Sequence, residues 1–425
     1  MASCRLQFEV IVVGAGPAGI AAACLAAETG RKVAVVDNSP LLGGQIWHGA
    51  PAHSRHRLAG RWIDRLQRSG SSVFSNATVF AAEPHVLLAE TPDGVLELGW
   101  KKLILATGAR ERFLPFPGWT LPGVVGPGGL HALVKSGWPI AGKRVVVAGS
   151  GPLLLTAAEG LKQAGARVSL IAEQTDWGQV LRFGMALFRY PGKLLQAAAV
   201  KARLLGVPYR CGCWPARAEG AARVERVTLT DGSRSWTEDC DYLACGFHLV
   251  PNVELPCLIG CALVNGFVRV NEFQLTSVPD VFCAGEPTGI GGADCALVEG
   301  QIAGLAAAKA WDRAKTLFSR RAAWHGFRAS LHRAFALRPE LRQLAAPDTI
   351  VCRCEDVRMA DLQRCESLRA ARLHARCGMG PCQGRTCGAA VQFLFGWESD
   401  SVRPPLFPVR LASLTGVLSR SDKHI

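Results

Sequence analysis

Near its start the chain carries a run that few folds can accommodate. Phe8-Glu9-Val10-Ile11-Val12-Val13 is β-branched and apolar, suited to a strand buried on both faces. It runs without a break into Gly14-Ala15-Gly16-Pro17-Ala18-Gly19, then into an alanine-rich helical stretch over 20–28. A second apolar strand, Val33-Ala34-Val35-Val36, ends on Asp37. These are the parts of a βαβ dinucleotide-binding unit in their working order. Gly14 permits the tight turn, Gly16 lets backbone approach a pyrophosphate, and Gly19 lets helix and strand pack closely. The helix start supplies N–H donors and a positive dipole end to phosphates, and Asp37 is placed to accept from ribose hydroxyls.

Later segments say which dinucleotide. Leu41-Leu42-Gly43-Gly44-Gln45 follows the acid; Leu103-Ile104-Leu105-Ala106-Thr107-Gly108-Ala109 is a strand ending in a small-residue turn. A third stretch runs from Thr276 through Val281-Phe282-Cys283-Ala284-Gly285-Glu286 to Gly289-Ile290-Gly291-Gly292-Ala293-Asp294. This ordered set resembles the two-dinucleotide-domain flavoproteins, the glutathione-reductase-like family. The resemblance implies FAD, with Gly14, Gly16, Pro17, Ala18, Gly19, Asp37, Gly44, Gln45, Thr107, Gly108, Gly285, Glu286 and Ala296 as its binding residues. That family usually has Asp where Glu286 stands, at the ribityl or phosphate portion of the flavin. Ala296 is expected to open a helix whose N-terminus faces the isoalloxazine ring and stabilises negative charge on the reduced flavin.

A second unit of the same kind follows. Lys143-Arg144-Val145-Val146-Val147-Ala148 reads as a buried strand, Gly149-Ser150-Gly151-Pro152-Leu153-Leu154 as its turn, and 155–164 as the helix. Val168-Ser169-Leu170-Ile171 is the next strand, with Glu173 just past it. Leu154 stands where the third glycine belongs, and a bulky side chain there pushes helix from strand. NAD(P) at Gly149–Gly151, an adenine nucleotide, or a retained fold with an empty pocket are all open at this point; Glu173 argues against NADP. The fold class is therefore α/β, with an FAD domain over 1–115 and 245–308 and an inserted NAD(P)-type Rossmann domain over 116–244. A basic helical linker (309–346), a small α-helical cysteine domain (347–397) and a Pro-containing tail (398–425) complete the reading. The tail suits an extended backbone lying along a partner or capping its own domain.

The chain has 16 cysteines. Residues 1–10 have neither a basic leader region nor a small-residue cleavage site, and no run of about 18 apolar residues exists to span a bilayer. The expectation is a cytoplasmic chain, peripherally membrane-associated at most, with reduced thiols. Clustered cysteines then point to metal or redox chemistry. No CxxC of the thioredoxin-reductase kind occurs; Cys211-Gly212-Cys213 reads as a strand end and Cys257 with Cys261 as filler. By contrast Cys352-Arg353-Cys354-Glu355-Asp356 is followed by Cys377-Gly378-Met379-Gly380-Pro381-Cys382-Gln383-Gly384-Arg385-Thr386-Cys387. Cys352, Cys354, Cys382 and Cys387 can offer four thiolates, with glycines that let backbone N–H groups reach sulfur. Zinc takes the same ligands, but a CxC spacing is less comfortable for one tetrahedral ion, which favours a [2Fe–2S] cluster. Cys365 and Cys377 are spare thiols, Cys377 a substitute ligand. Residues 356–364 and 389–397 read as short helices beside the site.

The cysteine motifs resemble the bacterioferritin-associated-ferredoxin-like [2Fe–2S] domain that ends one chain of the heteromeric amine dehydrogenases. That group takes in the alpha-type chains of opine oxidase, D-hydroxyproline dehydrogenase and hydrogen cyanide synthase. Pro115 to Val125, Gly151-Pro152-Leu153-Leu154-Leu155, Glu299-Gly300-Gln301-Ile302-Ala303-Gly304 and Arg403-Pro404-Pro405-Leu406-Phe407-Pro408-Val409 carry the likeness along the chain. The stretch between Cys354 and Cys382 is several residues shorter than that family's pattern. The resemblance implies an electron-transferring alpha subunit, a flavin-containing beta subunit that oxidises a small amine or imino acid, and a small ferredoxin-like subunit. The chain itself shows no general base: His131 and His248 read as structural. The competing function is a self-sufficient NAD(P)H-dependent reductase of an external acceptor. A scaffold with zinc and a structural flavin is the third. The net charge of +14, concentrated over 313–376, reads as a solvated helical face, then as a dock for an acidic protein. No nucleic-acid-binding motif accompanies it.

Overall fold

The computed structural model describes residues 4–47, 57–398 and 402–415. Residues 1–3, part of the segment read for a leader, and 416–425 of the tail lie outside the described residues. The chain divides into two compact units: Met1–Arg110 with Pro251–Arg328 and Asp400–Ile425, and Glu111–Val250 with Ala329–Ser399. Among the described residues no helix is long and apolar enough to cross a membrane.

In the first unit the strand Cys4–Val13 lies between Val33–Val36 and Gly94–Leu105, parallel to both, and Ser72–Phe74 extends the sheet beyond Val33–Val36. The C-terminal half of Gly94–Leu105 pairs in parallel with Val281–Cys283, its N-terminal half antiparallel with Val86–Thr91. Val10 to Val12, Val33 to Val36, Leu103 to Leu105 and Val281 to Cys283 are buried, as continuous apolar runs of a parallel sheet must be. The glycine-loop helix is Pro17–Ala27, starting three residues before the predicted stretch because Pro17 occupies its first turn. It is buried on all sides, which its unbroken alanine-rich composition allows. The third helix, Arg57–Arg68, is amphipathic instead and turns Ala59, Ile63 and Leu66 inward.

Pro17–Ala27 packs against Gly292–Ala307 at backbone range. A Cβ on Gly300 would stand 2.1 Å from the Ala18 carbonyl oxygen, and one on Gly304 2.2 Å from that of Ala22. This is the physical content of the Glu-Gly-x-x-x-Gly run. The tail returns to this unit: Leu406 is buried and its N–H donates to the Phe80 carbonyl, while Arg410 pairs with Glu90 at 3.1 Å. The described part of the tail, 402–415, packs on this unit.

In the second unit the parallel order is Tyr209–Cys211, Arg167–Glu173, Arg144–Ser150, Tyr242–Phe247, Val124–Val125. The helix Leu153–Gln163 follows the second glycine loop, beginning two residues before the predicted stretch. Leu154 does not wedge helix from sheet; it is 1% exposed and packs with Val145, Val147 and Leu161 in the core. Glu173 is the last residue of its strand rather than just past it. An antiparallel three-stranded sheet, Trp214–Glu219, Arg226–Thr230 and Ser235–Asp239, covers one side.

The cysteine-bearing region belongs to this unit and has its own small core of Val351, Val357, Leu362, Leu368 and Val391. Its helices are Met359–Leu362, Leu368–Ala375 and Cys387–Phe395, the second lying between Cys354 and Cys382 where the family's pattern has a longer stretch. It is fastened to the Rossmann part through Trp119, whose Nε1–H donates to the Ile350 carbonyl and whose ring carries the Arg353 guanidinium at 5.3 Å. Arg342 adds a bond of 3.2 Å to the Phe393 carbonyl.

Candidate functional site

The first glycine loop is shaped by contacts only glycine survives. Gly14 has φ +103°, and a Cβ there would lie 2.2 Å from the Ala106 carbonyl oxygen; one on Gly19 would lie 1.8 Å from that of Gly14. Gly16 has nothing within 4 Å on that side, so the loop is open where a phosphate would approach. No side chain caps the helix at Gly16, which leaves first-turn N–H groups available. Asp37 accepts from the backbone N–H groups of Ala15 and Ser39 and remains partly exposed.

The loop over 43–44 sits on this turn: Gly43 donates to the Ala15 carbonyl at 2.8 Å, and a Cβ on Gly44 would be 2.9 Å from Gly16 Cα. Gln45 is exposed. Gly285, at φ +81°, would place a Cβ 2.9 Å from that of Ala18 and 3.6 Å from that of Ala296. Ala18, Gly285 and Ala296 thus converge from three separated stretches. Ala296 does not open its helix, however. The helix begins at Gly292, whose φ of +76° and preceding glycines make the turn, and Ala296 lies in its second turn.

Among the described residues the Glu286 carboxyl has no hydrogen-bond partner, although its backbone carbonyl accepts from Gly289 N–H; burial, then the charge of Glu299, pushes that carboxyl up to about 7. An acceptor left unpartnered here suits a polyol hydroxyl. Two residues that shape this site carry roles the sequence does not show. Glu299, 1% exposed, accepts from Gly285 N–H at 2.9 Å and Thr288 Oγ1 at 2.8 Å, and meets His325 Nε2 at 2.8 Å and Arg328 at 3.4 Å. It pins the 285–288 turn from below. Asn252 does the same for 107–108: Thr107 Oγ1 donates to its carbonyl, its Nδ2 donates back to that of Thr107, and its N–H reaches Gly108. Glu299 stands in the Glu-Gly-x-x-x-Gly run and Asn252 in no motif, but neither role is visible locally, since each acts largely through partners remote in sequence.

At the cysteines the thiols fall into two groups. Cys352, Cys377 and Cys387 are buried with their sulfurs all within 4.8 Å of one another. They come from a strand end, a helix C-terminus and a helix N-terminus. Cys354 and Cys382, nearer the surface, hydrogen-bond to each other. Close approach again depends on glycine: a Cβ on Gly380 would meet Cys354 Cβ at 2.3 Å. Hydrogen bonds from Cys377 and Cys387 push the Cys352 thiol down, and those two thiols are pushed up in turn. Backbone N–H groups of Gly378 and Glu355 also point at Cys352, those of Thr386 and Gly384 at Cys382. Of the four predicted ligands, then, Cys352 lies with Cys387 and Cys354 with Cys382, while the spare Cys377 joins the first group.

This donor set fits an iron–sulfur centre: two irons each need two thiolates, and both groups supply a pair with N–H groups aimed at sulfur. The glycine turn, the acid after the second strand and the converging third strand fit a flavin dinucleotide equally well.

Together these features define a flavin-dependent oxidoreductase of the dinucleotide-fold kind. The chain belongs to the pyridine nucleotide-disulphide oxidoreductase family, which matches residues 8–300. It is 31% identical to HcnB, a hydrogen cyanide synthase chain of Pseudomonas aeruginosa, covering 94% of this chain and 93% of that protein. The "A" chain of opine oxidase from Rhizobium meliloti (strain 1021) is also 31% identical, with 97% and 99% covered. The crystal structure of L-proline dehydrogenase from P. horikoshii shares the fold at a TM-score of 0.70 and 19% identity, over 97% of this chain and 80% of that one.

Proposed function

We propose that this chain is the electron-transferring alpha subunit of a heteromeric dehydrogenase of CH–NH donors such as D-hydroxyproline or opines. It holds FAD on the first unit and a [2Fe–2S] cluster on Cys352, Cys354, Cys382 and Cys387. The observation that carries this reading is the grouping of the cysteine thiols into two sets, each with a pair for one iron. The names of the full-length relatives, subunits of a hydrogen cyanide synthase and an opine oxidase, support a partner that oxidises the amine. When bound, the flavin accepts an electron pair and the cluster passes electrons singly.

The chain's own residues prepare both places. The uncapped start of Pro17–Ala27 would receive the pyrophosphate, Asp37 the ribose, and Glu286 a ribityl hydroxyl. The N-terminus of Gly292–Ala307 would offer its dipole to a bound flavin, and Glu299 holds the preceding turn in register. The N–H groups around Cys352 and Cys382 stabilise charge on sulfur, which raises the potential of a bound centre.

Purification with co-expressed partners tests this. Iron and sulfide in equal amounts, a paramagnetic signal after dithionite reduction, and dye reduction by D-hydroxyproline, an opine or glycine are expected. A yellow, iron-free holoprotein with no signal on reduction refutes the relay.

A further inference from the structure

In an open parallel sheet a dinucleotide lies in the crevice at the C-terminal strand ends, where the strand order reverses. In the second unit that point lies between Arg144–Ser150 and Tyr242–Phe247. The structure puts polypeptide there. Residues 331–338, the last turn of the helix Phe318–Ala334 and the segment that follows it towards the cysteine domain, run across these ends.

The contacts are specific. Ser150, in the middle of the glycine loop, donates to the Phe335 carbonyl at 3.4 Å. Gln174, fully buried one residue past the neighbouring strand, donates to the Ala336 carbonyl at 3.1 Å and accepts from the Arg338 N–H at 3.2 Å. The same amide donates to Ser150 at 3.0 Å, tying loop and segment into one network. Leu331, Ala334 and Phe335 are buried, the Phe335 ring standing edge-on to Phe183 at 5.2 Å. At the end of the other strand the His248 ring lies 5.4 Å from His332. Arg338 closes the row over Trp214 at 5.1 Å.

The Ser150 hydroxyl and the Gln174 amide are thereby occupied, and the acid beside them is closed off as well. Glu173, where a ribose-binding acid belongs, is 1% exposed and accepts from Gly151 N–H at 2.7 Å and Thr175 N–H at 3.0 Å. Asp37 makes a comparable bond in the first unit, so that bond alone does not distinguish the two. What differs is access at the acid and the loop's middle residue: Asp37 is partly exposed, whereas Glu173 is sealed and the Ser150 hydroxyl donates to the Phe335 carbonyl; Gly16 and Gly151 do not differ in this way, since a Cβ on either would meet nothing closer than 3.9 Å.

We propose that the second Rossmann unit does not take NAD(P)H and that its crevice is the seat of the chain's own connector, residues 331–338, through which the cysteine domain is held. The unit is then a docking platform, and electrons do not enter this chain from a reduced nicotinamide. This stands independently of what the cysteines bind.

Anaerobic titration of the holoprotein with NADH and with NADPH tests it, followed by flavin absorbance and by hydrogen exchange over 331–338. No bleaching and unchanged slow exchange with either nucleotide are expected. Bleaching of the flavin, or exchange in 331–338 altered saturably by either nucleotide, overturns the proposal. Gln174→Ala supplies a second reading. Amides of 335–338 should exchange about tenfold faster while flavin content holds, since the amide's bonds to the segment are lost. Unchanged exchange in a folded Gln174→Ala protein would mean the segment is not seated there.

Discussion

Single residues set the chemistry here by what surrounds them. Burial, opposed by the N–H groups of Thr175 and Gly151, pushes the Glu173 carboxyl up to about 7. The folded protein therefore binds a proton that the unfolded chain, near 4.5, releases. Stability of the second unit should fall as pH rises between those two values and level off above them, by roughly 3 kcal/mol at most. Glu173→Gln should flatten that slope when denaturation midpoints at pH 5 and pH 8 are compared. Among the cysteines, Cys382→Ser should abolish most of the paramagnetic signal, because its partner Cys354 loses the second half of a pair. Cys377→Ser should keep iron content and change only the signal's shape or midpoint potential. The reverse ranking, read by iron analysis and EPR, would exchange their roles.

At the scale of elements, the contact between Pro17–Ala27 and Gly292–Ala307 depends on the absence of side chains. Gly300→Ala forces a Cβ into the Ala18 carbonyl, which belongs to the glycine-loop helix rather than to any movable side chain. A loss of about 1–3 kcal/mol is expected, with weaker flavin retention during gel filtration because Ala18, Gly285 and Ala296 shift together. Gly292→Ala, with nothing within 4 Å of its Cβ but φ +76°, should cost only the backbone strain of about 1 kcal/mol. Thermal denaturation of the two variants separates steric contact from backbone conformation.

Across the whole molecule, each unit has its own core and, on the proposed reading, its own cofactor. Calorimetry of the holoprotein should show two transitions. Removing iron with a chelator should lower the one belonging to Glu111–Val250 with Ala329–Ser399, and removing flavin the other, because a ligand stabilises only the unit that binds it. A single transition lowered equally by both treatments would contradict this assignment.

The glycine signatures, both parallel sheets and the cysteine motifs were legible in the sequence because each rests on neighbours a few residues apart. Apolar runs, turns that need positive φ and short ligand spacings are local properties, and so is the pairing of an acid with a glycine loop about twenty residues before it. The roles of Glu299 and Asn252, the place of Cys377 beside Cys352 and Cys387, the burial of Leu154 in place of a glycine, and the polypeptide seated against Ser150 and Gln174 were not legible. Each depends on side chains brought together from distant stretches, and whether a crevice is open or filled is a matter of packing, which no local pattern encodes.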